Sequence, residues 1–174
     1  MATEPKAGRP RKGPNDTMME YHAVVTEEGK FTLAEFPDLP GCQTFAEEGE
    51  SIEAIAADAL DGWLASNMSR SVTLPRPGSV SIAKDAKVLA VPVAPTLAIR
   101  MELRWAREDA SLTQSDLARA VGITQQQVAK LEAADANPTI NTLQRVAEGL
   151  GRRLYISLNS PEFGLRSGDR AGRR

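Results

Sequence analysis

The sequence predicts an α+β protein in which a small β-β-β-α-β unit precedes an all-α unit that closes with one β-strand. Three observations predict it. Residues 20–45 fall into short apolar and β-branched runs punctuated by Gly and Pro, which is strand patterning. From residue 51 onward apolar residues recur every three or four positions, the period of an amphipathic helix. The third is charge: the 174 residues sum to −2, but residues 1–18 carry +2, residues 19–92 carry −7 and residues 93–174 carry +3. An acidic middle between basic flanks implies two units with different partners, since nucleic acid repels the first and attracts the second. The expected division is a basic arm over 1–18, domains over 19–93 and 96–158, and a flexible basic tail over 159–174.

Residues 1–17 are short of apolar side chains and rich in Gly, Pro and charge, and read as disordered. They contain Gly8-Arg9-Pro10-Arg11-Lys12. The first two strands are expected over residues 20–27 and 31–36, joined by a turn at Gly29. Residues 37–41, with two prolines that cannot donate to a ladder, halt the second strand, and residues 42–45 form a third. Ser51 is placed to cap a helix whose apolar face is Ile52, Ile55, Ala56, Ala59, Leu60, Trp63 and Leu64. Glu53, Asp58 and Asp61 are expected on its opposite face. A one-sided helix must cover something, and the three strands are the surface available. Residues 87–93 supply the fourth strand after a Pro-rich loop at 74–78.

Residues 113–132, TQSDLARAVGITQQQVAKLE, read as two short helices crossing at Ala118, with a left-handed turn at Gly122 and a core from Leu117, Val121, Val128 and Leu131. The second helix leaves Gln125, Gln126, Gln127 and Lys130 outward, and Thr124 can cap it. A Gln amide pairs with adenine N6 and N7, and Lys donates to guanine or to phosphate. Residues 140–150 form a further amphipathic helix stopped by Gly151. Residues 152–158 then alternate as a strand without an evident partner in the domain.

These residues resemble the helix-turn-helix of phage repressors and the Xre family over about 96–150. The resemblance implies that Gln114 meets its partner on the recognition helix and reaches phosphate, and that Arg107 and Glu132 form a buried salt bridge. It also implies that Leu154, Tyr155, Ile156 and Leu158 pair across a two-fold axis, giving a homodimer or a higher even-numbered oligomer on an inverted-repeat operator. A return of that strand to the N-terminal sheet is the alternative. Gly8 to Lys12 resembles an AT-hook, which would lay Arg9, Pro10, Arg11 and Lys12 along an A·T-rich minor groove; a solubilising basic arm is the plainer reading.

A second resemblance covers about residues 21–93. Tyr21-x-x-Val24-Val25, Gly29-x-Phe31, the run Phe36-Pro37-Asp38-Leu39-Pro40-Gly41-Cys42 and Ser51-Ile52-Glu53-Ala54 are similar to the HicB antitoxin family. Phe45-Ala46-Glu47 departs from it where a Gly is more usual. The resemblance implies a degenerate ribonuclease-H-like fold and a HicA-like, RNA-cleaving toxin as partner, with toxin contact expected at Phe36, Pro37, Asp38, Leu39 and Pro40.

One Cys and one His exclude an internal disulfide and disfavour zinc, so no metal and no cofactor are expected, and His22 reads as a strand residue without a chemical role. Ribonuclease-H chemistry needs carboxylates converging on two metals, whereas Glu20, Glu35, Asp38 and Asp58 are spread along the chain; no enzyme is expected. The longest apolar stretch, 88–99, is broken by Pro92 and Pro95 and too short for a membrane span. With no secretory signal at its head, the chain is expected in the cytoplasm, at the nucleoid. Two functions compete: an antitoxin that represses its own operon, and a stand-alone helix-turn-helix regulator whose N-terminal domain senses a ligand or another partner.

Overall fold

In the computed structural model, residues 18–70, 72–78, 81–84, 86–133 and 137–156 are described. The basic arm with Arg9 to Lys12, and Leu158 with the tail, lie outside them. The elements run β1 (Glu20–Glu28), β2 (Phe31–Glu35), β3 (Gln43–Ala46), α1 (Ile52–Ser69), β4 (Val88–Pro92), α2 (Pro95–Asp109), α3 (Gln114–Val121), α4 (Gln125–Leu131) and α5 (Ile140–Gly149). The strands make one antiparallel sheet in the order β3-β2-β1-β4. The chain is therefore α+β as expected, with strand ends within a residue or two of those read from sequence.

Strand alternation decides which side chains face α1. Tyr21, Ala23, Ala34, Ala46 and Val91 point inward and are buried. Tyr21, Ala23, Ala34 and Val91 share one core with Ala56, Leu60, Leu64 and Met68 of α1, whose N-terminus is held by Ser51 accepting from the Ala54 amide. The turn after β2 closes as its prolines require: the Leu39 amide donates to the Phe36 carbonyl and the Cys42 amide to the Leu39 carbonyl, with Gly41 left-handed at φ 80°. Cys42 is buried beneath it, and burial pushes its thiol pKa up to about 11, so it stays protonated at neutral pH. Asp61 is not simply a solvent-facing acid. Its Oδ1 accepts from the Ala94 amide at 3.2 Å and ties α1 to the start of α2.

Helix α2 serves two cores at once. Leu97, Met101 and Trp105 pack with the sheet and α1, whereas Leu103, with Ile99 beside it, packs with Leu117, Ala118, Val128, Leu143 and Val146. The Trp105 indole N–H also donates to the Leu74 carbonyl at 3.2 Å. The sequence division at residue 96 thus falls at the head of a helix that belongs to both units.

The expected C-terminal strand, residues 152–158, is described only as far as Ile156, and the edge expected to receive it belongs to a second copy of the chain. Residues 152–156 have no regular structure and enter no ladder with the described residues. A strand is stable only when an edge receives its backbone groups, and residues 152–156 meet none among the described residues. Gly151, at φ 67°, does end α5 as expected: its amide donates to the Glu148 carbonyl and the Arg152 amide to the Ala147 carbonyl, the two bonds of a Schellman turn.

Candidate nucleic-acid interface

The second helix of the motif is positioned by its own sequence. Gly122 adopts φ 68° and ψ 39° and closes α3; two residues later the Thr124 side chain accepts from the Gln127 amide while the Gln127 side chain accepts from the Thr124 amide. This capping box fixes the start of α4. At α3 the same device is built from Thr113 and Asp116. Val128 is buried against Leu117 and Ala118, which turns Gln125, Gln126 and Lys130 outward and exposed.

A chain of hydrogen bonds links the scaffold to that exposed face. Arg107 of α2 donates from Nε to Glu132 Oε1 at 2.6 Å and from Nη2 to Oε2 at 2.9 Å, and its Nη1 donates to the Leu112 carbonyl at 2.9 Å. Both partners are nearly buried, with side chains 12% and 6% exposed, as the resemblance implied. Gln114 Nε2 donates to Glu132 Oε2 at 3.0 Å, and Gln125 Nε2 donates to Gln114 Oε1 at 2.9 Å. The bidentate bond to Glu132 is the first cause holding the Arg107 guanidinium pKa above its ordinary value. Each link restrains the next, and the last side chain held is Gln125. Its Nε2 keeps a second hydrogen and its Oε1 stays an acceptor, the pattern that adenine N7 and N6 require.

The other expected contacts separate into kinds. Gln126 is exposed and makes no hydrogen bond with the described residues, so both halves of its amide are available. Gln127 has its carbonyl oxygen engaged by the capping box, which makes it first a structural residue. Thr124 is likewise the cap. Lys130 is exposed in the last turn of α4.

In the sheet domain, burial corrects the expected contact turn. Phe36 and Leu39 are 1% and 0% exposed, and Asp38 is 5% exposed. The Asp38 Oδ2 accepts from the Gly78 amide at 2.8 Å, so this carboxylate pins the 72–78 loop. Only Pro37, half-buried, and Pro40, exposed, reach the surface from that run. Phe36 and Leu39 point into the core. Among the described residues no group of three or more His, Cys, Asp and Glu is placed to hold a metal ion, and no helix is long and apolar enough to cross a membrane.

At the C-terminal segment, Leu154 packs on the helical core, while Tyr155 is 80% and Ile156 58% exposed. Ile140 lines the same shallow depression as these residues and is itself exposed. Two structural contributors went unread in the sequence. Asp109 accepts from both Arg76 and Arg152, and Gly149 lets α5 approach α3 so closely that a Cβ there would lie 2.1 Å from Val121 Cγ1.

Comparison with known proteins agrees with this geometry. A family model described as helix-turn-helix matches residues 103–156, a range that begins in α2 and takes in α3, α4 and α5. The chain is also 28% identical over 142 residues to Antitoxin HicB 1 of Photorhabdus laumondii subsp. laumondii, an alignment covering 80% of this chain and 87% of that protein. That alignment is far longer than residues 103–156, so it extends into the sheet domain. The chain carries an Xre-like helix-turn-helix domain and is similar to a HicB antitoxin over most of its length.

Proposed function

We propose that this protein is the antitoxin of a HicA/HicB-type pair, which neutralises an RNA-cleaving toxin by direct binding through residues 19–93 and represses its own operon through the helix-turn-helix. The observation that carries the reading is the similarity to Antitoxin HicB 1 along most of both chains. Charge supports it. A protein that cleaves RNA needs a positive surface for phosphates, and a domain at −7 complements such a surface. The Arg107, Glu132, Gln114 and Gln125 chain supports the DNA half, because it holds a base-reading amide ready on the exposed face of α4.

The operator is an inverted repeat in this proposal. Two copies of the chain join through the segment containing Leu154, Tyr155 and Ile156, where exposed apolar side chains end in an unpaired run, and set two recognition helices about 34 Å apart in successive major grooves. The protein acts in the cytoplasm, at DNA, and as a binder rather than an enzyme.

The test is co-expression with the small protein encoded beside it, with copurification and a growth assay of that neighbour alone. Toxicity relieved by the full chain, together with a stable complex, is the expected result. No toxicity and no complex would overturn the antitoxin half and favour a stand-alone regulator.

A further inference from the structure

Among the described residues, one face of the sheet carries exposed apolar side chains. With α1 covering Tyr21, Ala23, Ala34 and Val91, the strand register fixes what the opposite face presents: Val24 opposes Val88 and Glu35, Leu33 opposes Phe45, and Phe31 opposes Glu28. Phe31, Phe45 and Val88 are 47%, 57% and 43% exposed. The two aromatic rings meet edge to face, with centroids 5.7 Å apart and planes at 87°. Val24 and Leu33, half-buried, continue the apolar ground beside them.

The charges on this face all have one sign. Its outward strand positions hold Glu20, Glu28 and Glu35, one His and no Lys or Arg. The nearby Lys87, just before β4, is engaged with Glu27 at 2.7 Å. An exposed aromatic pair reaching an edge strand is a hazard for a sheet that has no partner. Aromatics at the centre with charge at the rim is instead the composition of a protein interface.

We propose that this outer sheet face is the docking surface for a basic protein, with Phe31 and Phe45 as its apolar centre and Glu28 and Glu35 as its steering rim. The inference rests on the antitoxin reading and sharpens it: the toxin sits on the open face of the sheet, not on the turn at residues 36–40, where Phe36 and Leu39 are buried.

The experiment measures binding of the full chain to the small basic protein encoded beside it. Three variants are compared: Phe45→Thr, which keeps a β-former on the edge strand; the pair Glu28→Lys with Glu35→Lys; and a control pair, Glu53→Lys with Asp58→Lys, on the exposed side of α1. Melting temperature and operator binding are followed for each. Phe45→Thr should weaken binding about tenfold or more. The sheet charge reversal should weaken it comparably at low salt and less at high salt. The control pair should stay within about twofold of wild type. Sheet variants that bind like wild type, a control pair that loses as much, or a fall in subunit number on Phe45→Thr, which would mean that a second copy covers the face, would each overturn the proposal. A wild-type chain that fails to bind would instead overturn the antitoxin reading on which it rests.

Discussion

Gln125 and Gln126 differ in how they are held, and the difference is measurable. Gln125 is restrained through Gln114 to a buried ion pair, whereas Gln126 extends from α4 without a partner among the described residues. Replacing either by Ala should cost about 1–3 kcal/mol on the operator and little on random DNA. Gln114→Ala tests the restraint: it removes no base contact, yet should lower operator affinity by freeing Gln125. Filter-binding or anisotropy titrations on both DNAs check this, and equal losses on both would assign the amides to backbone contact. The ion pair behind them is a stability matter. Arg107→Met strands Glu132 in a nearly buried site and should destabilise by about 3 kcal/mol, whereas adding Glu132→Met should recover much of that loss, since a buried pair costs less to replace than to break. Urea denaturation of the two variants decides it; a double variant as unstable as the single one would show that packing, not charge, is at stake.

At the scale of elements, the packing of α5 on α3 sets where α4 can lie. Gly149 allows it, because any Cβ there would press on Val121 Cγ1. Ala is a better helix former than Gly by about 1 kcal/mol, yet Gly149→Ala should destabilise the domain, overpacking costing about 1–3 kcal/mol. Val121→Ala introduced alongside should relieve the clash, and thermal melts of the single and double variants read it directly. Such an effect marks the limit of the sequence. Strands, helices, caps and the left-handed residues Gly122 and Gly151 were legible, because propensity and period act locally. What period does not specify is which neighbour covers a face. Hence Phe36 and Leu39, expected at a contact surface from resemblance, are interior, and of the run that alternates over 152–158, residues 152–156 pair with no described strand. Arg107 and Glu132, 25 positions apart, were legible only through resemblance to a family; Arg76 and Asp109, 33 apart, carried no signal at all.

At the scale of the whole molecule, α2 makes the two units one. Its Leu97, Met101 and Trp105 belong to the sheet core and its Leu103 to the helical core. At its end Asp109 joins Arg76, from the loop after α1, to Arg152, just past α5, at 2.5 and 3.0 Å. Arg76 also lies 5.4 Å from the Trp105 ring centroid, an attraction that holds the guanidinium in place for the carboxylate. The full chain should therefore melt in a single transition, not as two domains. The clasp has a pH signature. The hydrogen bond from Arg76 is the first cause that holds the Asp109 carboxyl below its ordinary pKa. A carboxylate lowered in the folded state contributes its stability above the unfolded value, about 3.9, and loses it as pH falls through the folded one. Asp109→Asn should accordingly lower the melting temperature at neutral pH, and the gap from wild type should close once the solution is acid enough to protonate both states. High salt should narrow the gap as well, since the carboxylate and both guanidinium groups are substantially exposed. A gap that persists unchanged through the acid range would show that Asp109 acts by shape, and two separate transitions in the wild type would show that α2 does not couple the units. A single transition would show that the sheet and the helix that carries Arg107 unfold as one body.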